Sequence, residues 1–484
     1  MRCIDRLRKM PYSLQRPLRR VYGALPPSLA YGGTFWKTYD FLRESQYWSR
    51  EKLEEYQLER LGGLLHHAYD NVPYYRRIFD ERGMKPGDIQ SLQDLRRLPC
   101  LTKDKFRESF AALVATNSNA AGLPMAHTSG TSGKHLAIYR DCAAVQQELA
   151  CVFHQWSRVG FMPGDRRVEI RGIMIRSRKR YEYDRAFRAL RLSPLIEDVD
   201  TAGYYLRLIG DFRADFLHGY PSAIAQLAEF VRQYGLAVPF RLKAVLLASE
   251  VVYGWQRKIV EDVFSCRVCG LYGMAEQVTM AGECESSSHY HCLPQYGITE
   301  VDAESGEIVG TGFLNYVSPL IRYRTDDIAS DIVAERDCCG REYYPVFRQV
   351  EGRVGDYIAT SRGLFGPATI THYFKKLNHV RETQLIQSDL DRIVVRVVPR
   401  GGAGDGARAE ELERLRRDLL ENLGPHLHVE IEEVDELERT ASGKFKWIVS
   451  DVSGDILEER FSVGAPAAGP SMVNRAGPGV RDLI

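Results

Sequence analysis

The first residues able to do chemistry in this chain form a run of small polar side chains that ends in a lysine. Between His127 and Lys134 lie six consecutive small residues, which are Thr128, Ser129, Gly130, Thr131, Ser132 and Gly133. Glycines let backbone N–H groups approach phosphate oxygens, hydroxyls add donors, and the lysine supplies positive charge. The spacing is not that of a Walker loop, because the four-residue gap between its glycines is absent. The run predicts a phosphate-binding loop or, taken alone, a flexible turn.

Four further motifs follow this run along the chain. They are Leu271-Tyr-Gly-Met-Ala-Glu276, Ile321-Arg-Tyr-Arg-Thr-Asp-Asp327, Glu351-Gly-Arg-Val-Gly-Asp356 and Arg439-Thr-Ala-Ser-Gly-Lys444. Tyr272 is either a flat ring for base stacking or a core tyrosine. Glu276 is either a ligand for a hard cation or a surface glutamate. Asp327 is able either to accept hydrogen bonds from two hydroxyls or to pair with neighbouring Arg324.

Cysteines and histidines also cluster in two patches that together have the composition of a zinc site. The first patch is Cys284, His289, His291 and Cys292, and the second is Cys338-Cys339-Gly340-Arg341. Mixed Cys/His clusters of this kind are typical of tetrahedral structural zinc sites. We predict Cys284, His291, Cys338 and Cys339 as ligands, with His289 and Cys292 in reserve. Unligated thiols are the alternative.

The elements that must position these motifs alternate between helix and strand. Apolar residues recur at helical spacing over 52–69, 145–159 and 222–233, while 168–175 and 243–247 are short β-branched runs. The alternation predicts an α/β domain with a largely parallel sheet over residues 1–350. Beyond the composition break at 352–356, a strand at 392–398, a helix at 409–422, a strand at 428–434 and a glycine-rich loop at 401–406 predict a smaller α+β domain over 351–462. The Ala/Pro/Gly-rich residues 463–484 read as a disordered tail.

Composition limits the classes of partner. Lys and Arg number 65 against 64 Asp and Glu, so the net charge of +1 gives no argument for nucleic acid binding. No apolar run approaches the roughly 18 residues of a membrane span, and no apolar signal core precedes the chain's first motif. We therefore expect a cytoplasmic protein whose ten cysteines are reduced thiols. The basic first forty residues either pack on the protein body, which we favour, or rest on an anionic membrane surface.

The five motifs, in this order, resemble the adenylate-forming superfamily of acyl-CoA synthetases, luciferase-like enzymes and peptide-synthetase adenylation domains. Within it the chain is most similar to the branch of phenylacetate–CoA ligase and its CapK-like relatives. Three segments support that branch, namely His67-Ala-Tyr-Asp-Asn-Val-Pro-Tyr-Tyr75, Leu98-Pro-Cys-Leu-Thr-Lys103 and His218-Gly-Tyr-Pro-Ser222. The resemblance spans roughly residues 45 to 450.

The resemblance implies that ATP and Mg²⁺ convert a carboxylic acid into an acyl-adenylate with release of pyrophosphate. Coenzyme A would then accept the acyl group. Related branches use an amine, a sugar or a carrier-protein thiol as acceptor, or stop at adenylyl transfer, and these alternatives stay open. A non-catalytic nucleotide-binding relative is a further alternative. Against it stands the retention of Lys134, Glu276, Asp327, Arg353 and Lys444.

The resemblance also assigns roles to individual residues. Residues 128–134 would hold the β- and γ-phosphates, Tyr272 and Gly273 the adenine, Glu276 the Mg²⁺ and Asp327 the ribose. Arg353, at a hinge, would contact the ribose or phosphates. Lys444, on a mobile small domain, would reach the α-phosphate and the carboxylate when that domain closes. The acid pocket would lie around Tyr220, Ser222, Ser249 and Glu250, and Tyr220 suggests an aromatic or planar acid. Some members of the branch carry a similar Cys/His zinc pattern, and the chemistry of the family has no use for catalytic zinc.

Three positions depart from the family pattern. His135 follows the phosphate-loop lysine where a proline is usual, Asp326 replaces a glycine, and Gly355 replaces the hinge aspartate. A glycine at the hinge should loosen it, which affects the timing of domain rotation. None of the three changes removes a group that adenylation needs.

Overall fold

The computed structural model describes residues 27–119, 122–127, 137–172, 181–196, 198–302, 306–333, 339–341, 343–351, 358–360, 362–365, 370, 373–374, 377–399, 405–437, 447–450 and 452. Several predictions from the sequence fall outside these residues. They concern the basic residues before 27, the phosphate loop 128–134, Cys338, the hinge with Arg353 and Gly355, the catalytic lysine Lys444 and the tail 463–484.

A short hairpin frames the predicted phosphate loop. Strand β1 (Met125–His127) pairs antiparallel with β2 (Ala137–Tyr139), and His127 lies opposite Ala137. Pairing at these two residues brings together the chain before residue 128 and the chain after residue 136.

The large unit is built on a sheet of twelve strands. In chain order these are β3 (Arg167–Ile170), β4 (Tyr181–Asp184), β5 (Ala189–Leu192), β6 (Phe216–Gly219), β7 (Ala244–Ala248), β8 (Arg267–Gly273), β9 (Met280–Glu283), β10 (Tyr290–Cys292), β11 (Gly297–Val301), β12 (Glu307–Gly312), β13 (Tyr323–Val333) and β14 (Val346–Glu351). Across the sheet their order is β11-β12-β13-β14-β10-β9-β8-β7-β6-β3-β5-β4.

The sheet is mixed, and the prediction of a largely parallel sheet was wrong, because seven of its eleven described strand pairings are antiparallel, including that of β4 with β5 at the edge. Strands β5, β3, β6, β7 and β8 are parallel neighbours, as expected. From β8 through β9, β10, β14, β13 and β12 to β11, every pairing is antiparallel. Parallel neighbours need a crossover of a dozen or more residues, usually with a helix, and β8 to β12 follow one another over shorter links.

Helices cover both faces of the parallel half. In chain order the α-helices of the large unit are α1 (Pro27–Ala30), α2 (Gly33–Ser45), α3 (Arg50–Asn71), α4 (Pro73–Glu81), α5 (Lys103–Glu108), α6 (Cys142–Ser157), α7 (Val199–Phe212), α8 (Pro221–Tyr234) and α9 (Gly254–Phe264). Successive side chains of a strand point to opposite faces. In β7, Val245 and Leu247 accordingly join the core beneath α7, α8 and α9. Ala244 and Leu246 join the aromatic core beneath α2 and α6.

The sequence located three of the nine described α-helices of the large unit within a few residues. Those predicted over 52–69, 145–159 and 222–233 are α3, α6 and α8. Helix α6 begins earlier than its apolar pattern because the Asp141 side chain accepts from the Ala144 N–H and caps the first turn. Of the helices that the structure describes, none combines the length and apolar character that crossing a membrane requires. The cytoplasmic location and the absence of a nucleic acid partner stay predictions.

A smaller unit follows, as predicted. Its strands are β15 (Ile358–Thr360), β16 (Gly363–Phe365), β17 (Val380–Asp389), β18 (Arg392–Pro399), β19 (His428–Glu433) and β20 (Ile448–Ser450), and its helix is α10 (Asp405–Leu423). Four of the strands form a sheet in the order β19-β18-β17-β20. The helix begins inside the segment predicted as a glycine-rich loop. Leu415 and Leu419 of the helix share a hydrophobic core with Leu385 and Val395, and Leu195 of the large unit belongs to the same core. The precise domain boundaries stay predictions.

Candidate active site

Two of the predicted nucleotide-binding residues, Tyr272 and Asp327, are in direct contact. The Tyr272 hydroxyl donates to Asp327 Oδ2 at 2.8 Å, and the Tyr272 ring meets Phe347 edge to face. Burial, and then the charge of Asp327, raises the pKa of Tyr272 well above its ordinary value. Their strands β8 and β13 are separated by three others, so in a flat sheet they would lie about 19 Å apart. The antiparallel half therefore curves, and the curvature joins the two motifs in one site.

Glu276 lies just beyond the end of β8, beside this pair. Only 7% of it is exposed, and the Tyr323 hydroxyl donates to its Oε1 at 3.1 Å. Burial raises the pKa of Glu276, and the neighbouring Lys103 only partly offsets that increase. A buried carboxylate with a raised pKa gains most from a bound cation. The surface-glutamate alternative for Glu276 is therefore wrong, and the carboxylate suits the predicted magnesium ligand.

Lys103 is a residue of this site to which the sequence analysis gave no role. Its Nζ lies 2.9 Å from Asp326 Oδ2 and donates to the Thr325 carbonyl at 3.0 Å. Burial lowers the pKa of Lys103, but Asp326, Glu276 and Asp327 outweigh it, so the pKa is raised. Lys103 is therefore a charged ammonium facing three carboxylates.

The Leu98–Lys103 segment reaches the site because it lies along β13. Leu101 N–H donates to the Arg322 carbonyl at 2.9 Å, and Arg324 N–H donates to the Leu101 carbonyl at 3.0 Å. Thr102 then caps α5 by accepting from Lys105 N–H. The sequence analysis used this segment only as support for the family resemblance. Its place in the site could not be predicted, because its contact with β13 joins residues more than two hundred positions apart.

The unusual Asp326 has a local structural explanation. Its φ of 64° lies in the left-handed region, where glycine is favoured and aspartate is among the few tolerated alternatives. Its side chain pairs with Lys103, and its N–H donates to Glu307 Oε1 at 2.9 Å. Arg324 also binds Glu307, with Nε 2.8 Å from Glu307 Oε2. Arg324 therefore forms its ion pair with Glu307 and not with Asp327, which was the alternative from the sequence.

We expect Lys103→Met to raise the KM for Mg·ATP by about tenfold, the effect of losing one charge-assisted contact. Asp326→Gly should not raise it, since the change releases Lys103 and suits the left-handed backbone. Initial rates of pyrophosphate release over a range of Mg·ATP concentrations measure both. Lys105→Met, on the exposed side of α5, is the control. An equal rise in the KM of that variant for Mg·ATP would show that Lys103 has no specific role in the site.

The four predicted pocket residues also come together, at the carboxyl ends of the parallel strands. Tyr220 follows β6, Ser249 follows β7, and Ser222 lies in the first turn of α8. Glu250 Oε2 accepts from Ser222 N–H at 3.0 Å, and burial raises the pKa of Glu250 to about 7. Open α/β sheets bind ligands beyond this edge. Tyr220 and Ser222 are 5% and 3% exposed, so Ser249 and Glu250 offer more surface to a ligand.

The His218–Ser222 segment has a structural role in this pocket. A side chain on Gly219 would place its Cβ 2.5 Å from the Ile170 carbonyl oxygen, so only glycine permits this approach of β3 and β6. His218 lies between the Leu246 carbonyl, 2.8 Å from Nδ1, and Arg171 Nη1, 2.7 Å from Nε2. A carbonyl only accepts and a guanidinium only donates, so Nδ1 carries the proton. Burial, and then Arg171, lowers the pKa of His218 to about 3, so the ring is neutral.

Three of the four predicted zinc ligands form a cluster. The ligand atoms of Cys284, His291 and Cys339 lie within 4.8 Å of one another, and Cys338 is outside the described residues. Ligand atoms around one tetrahedral zinc lie about 3.5–4 Å apart, so the spacing fits. The N–H groups of Ser286 and Ser287 point at Cys284 Sγ, 3.4 and 3.2 Å away. The Cys339 contact, the largest influence, lowers the pKa of Cys284 toward the thiolate that a metal needs.

The reserve ligands His289 and Cys292 are not in this cluster. Cys292 follows His291 directly in β10, so its side chain points to the opposite face. It packs in a separate apolar core, where burial raises the pKa of its thiol.

The comparisons with known proteins find relatives along most of the chain. Residues 357–451 match the family model of the CapK C-terminal domain. Protein CapK of Staphylococcus aureus is 22% identical over 410 residues, which are 83% of this chain and 90% of that protein. Phenylacetate-coenzyme A ligase of Aromatoleum evansii is 24% identical over 431 residues, 83% of this chain and 95% of that ligase.

Solved structures with the same fold include 2-hydroxyisobutyryl-CoA ligase in two states. The thioesterification state, in complex with 2-HIB-AMP and CoA, superposes with a TM-score of 0.58 at 20% identity, covering 87% of this chain and 95% of the other. The postadenylation state with R3-HIB-AMP gives a TM-score of 0.55 at 20% identity, covering 87% and 94%. The likeness establishes the fold of both units.

Proposed function

We propose that this chain, a homologue of CapK and the phenylacetate–coenzyme A ligases with the fold of the adenylate-forming acyl-CoA ligases, activates a carboxylic acid with ATP and passes the acyl group to coenzyme A. The observation that carries the proposal is the contact of Tyr272 with Asp327 beside buried Glu276. It unites two motifs that lie fifty residues apart and that belong together in the family.

The first step forms a mixed anhydride. A carboxylate oxygen of the acid attacks the α-phosphorus of ATP, and the bond to the pyrophosphate leaving group breaks. The reaction needs positioning and compensation of charge rather than a protein nucleophile. Glu276 would hold Mg²⁺, Asp327 the ribose, and Tyr272 the adenine. From the sequence motifs we also propose that Lys134 contacts the β- and γ-phosphates and that Arg353 contacts the ribose or the phosphates. Lys444 would contact the α-phosphate and the carboxylate.

In the second step the thiol of coenzyme A attacks the acyl carbon, and the bond from that carbon to the AMP oxygen breaks. The curated phenylacetate–coenzyme A ligases and the ligase structure with both an adenylate and CoA support this acceptor. Protein CapK, which matches 83% of this chain, has a name that specifies no acceptor, so the other acceptors stay open as a second candidate. An amine, a sugar, a carrier-protein thiol or adenylyl transfer alone would then replace coenzyme A in this step.

The experiment is a panel of carboxylic acids scored by pyrophosphate release from Mg·ATP, with mass spectrometry of the products. Acid-dependent release supports adenylation, and an acyl-CoA formed only when coenzyme A is present supports the acceptor. An acyl-AMP that accumulates despite coenzyme A favours another acceptor. Nucleotide binding without acid-dependent release from any acid on a broad panel would favour a non-catalytic relative.

We also propose that Cys284, His291 and Cys339, with Cys338 as fourth ligand, hold a structural zinc ion. The cluster ties the end of β9 and strand β10 to the segment before β14. Freshly reduced protein should then contain about one zinc per chain. Cys284→Ser should lower the melting temperature by about 5 °C or more while leaving the chemical step nearly unchanged.

Elemental analysis and thermal denaturation measure these two effects. Cys142→Ser, at a half-buried thiol in the first turn of α6, is the matched control. Reduced protein without zinc, or equal melting temperatures for the two variants, would contradict the metal site.

A further inference from the structure

The guanidinium of Arg171 lies at the proposed acid pocket, and its hydrogen-bond partners are all neutral. Arg171 is the first residue after β3, and it reaches His218 Nε2 at 2.7 Å and Ser249 Oγ at 3.2 Å. Its guanidinium carbon lies 5.8 Å from the centre of the Tyr220 ring. Among the residues that the structure describes, no carboxylate forms an ion pair with it. A guanidinium has five N–H donors, so donors remain for a ligand.

The neighbouring arginines are different, because each already binds a carboxylate. Arg167 and Arg191 lie 2.8 and 3.2 Å from Glu169, and Arg140 lies 2.9 Å from Glu148. Burial alone would raise the pKa of Glu169, but nearby charges, first those of Arg167 and Arg191 and also that of Arg171, lower it to about 2. This carboxylate is therefore ionised, and its ion pairs are with Arg167 and Arg191. Of these four arginines, Arg171 alone makes no ion pair with a carboxylate among the residues that the structure describes, although its charge also acts on Glu169 and Glu148 at longer range.

Glu250, the remaining carboxyl group of the pocket, does not supply that counter-ion. Its Oε2 accepts from Ser222 N–H, its Oε1 has no partner among the described residues, and it makes no ion pair with Arg171. An arginine kept at the carboxyl ends of β3, β6 and β7, between neutral acceptors, is poised for an anion that the ligand brings.

We propose that Arg171 binds a carboxylate of the acid substrate in this pocket. The inference rests on the proposed function. Arginine presents two parallel N–H groups that match the two oxygens of a carboxylate. Neutral His218 holds one edge of the guanidinium and leaves the other edge toward Ser249 and the pocket. That carboxylate is either the one activated by ATP or a second one on the same acid, and both have the same chemistry toward arginine.

The test compares acids that differ only by a second carboxylate, namely phenylacetate with 4-carboxyphenylacetate and propionate with methylmalonate. Rates of pyrophosphate release are measured for the wild-type chain, Arg171→Met and the control Arg207→Met, which lies exposed on α7. Arg171→Met should raise the KM for the accepted acid by about 10- to 100-fold, with the KM for Mg·ATP unchanged. Arg207→Met should leave both constants at wild-type values.

The pairs distinguish the two sources of the carboxylate. If Arg171→Met raises the KM for both members of a pair, Arg171 binds the carboxylate that ATP activates. If the KM rises for the diacid alone, Arg171 binds the second carboxylate. An unchanged KM for the acid, or a rise in the KM for Mg·ATP instead, would overturn the proposal while leaving acid activation intact. Pyrophosphate release with none of the acids tested, nor with a broader panel, would count against the proposed function itself.

Arg171→Lys keeps the positive charge and loses the two parallel N–H donors. This variant keeps the proposal testable if the methionine variant misfolds. It should melt at the wild-type temperature and raise the KM for the acid by a smaller factor. A lysine variant that melts normally and keeps the wild-type KM for the acid would also overturn the assignment. That result would show that the substrate carboxylate does not use the two parallel N–H groups of Arg171.

Discussion

Glu276→Gln is expected to slow acid-dependent pyrophosphate release by about 100- to 1,000-fold, with the fold intact. Glutamine keeps the shape of the side chain and removes the charge that would hold Mg²⁺ against the phosphates of ATP. The Tyr323 contact can be kept, because the amide oxygen still accepts from the hydroxyl. The measurement is the rate as a function of magnesium concentration. An unaltered magnesium dependence would reject Glu276 as the ligand.

The same variant should not lose stability at neutral pH. The pKa of Glu276 is raised in the folded chain, chiefly by burial. Such a carboxyl contributes its full stability at low pH and loses it as the pH rises from about 4 through the folded pKa. Glutamine does not ionise, so the melting temperature of the variant relative to wild type should increase over that window. Glu54→Gln, at an exposed glutamate of α3, is the control and should show no such trend.

Lys444→Ala is expected to lower adenylation on the order of 10²–10³-fold, the usual effect of removing a group that stabilises charge developing in the transition state. The assignment rests on the Arg439–Lys444 motif, which lies outside the described residues. The family resemblance implies that the small domain would rotate after adenylation and withdraw this lysine. The variant should therefore transfer the acyl group at a near wild-type rate when it is supplied with preformed acyl-adenylate and coenzyme A.

The hinge offers the opposite test. Gly355→Pro should form the adenylate and stall in transfer, because proline restricts the rotation that glycine permits. Both half-reactions are assayed on both variants. Adenylation at the wild-type rate by Lys444→Ala would show that the lysine is wrongly assigned. Equal failure in both half-reactions by a folded protein would contradict the two-conformation mechanism.

The sequence predicted those parts of the fold and site that depend on local patterns. Helix α8 shows its apolar spacing and begins with Pro221, so it could be placed within two residues. The motifs ending at Glu276 and Asp327 could be grouped because the family keeps their order. The antiparallel half of the sheet could not be predicted, since short apolar runs do not reveal strand direction. Short links between consecutive strands favour antiparallel pairing, and the lengths of these links became clear only once the strand bounds were known.

Residues that act through distant contacts escaped the sequence analysis. Lys103 and Arg171 are two of 65 Lys and Arg. Lys103 entered the sequence analysis only as the last residue of a segment that supports the family resemblance, and Arg171 did not enter it. Their roles arise from contacts with Asp326 and with His218. The reserve ligand Cys292 follows His291 in a strand that the sequence analysis did not predict, so its opposite orientation became clear only from the structure.

The central claim is that an acyl-adenylate is formed, and an oxygen label tests it most directly. An acid accepted by the enzyme is prepared with oxygen-18 in its carboxylate and incubated with Mg·ATP and coenzyme A, and the AMP is examined by mass spectrometry. The attacking carboxylate oxygen stays on phosphorus when the acyl group leaves, so the account predicts AMP that carries one heavy oxygen. Unlabelled AMP, or acyl transfer with release of ADP and phosphate, would contradict it.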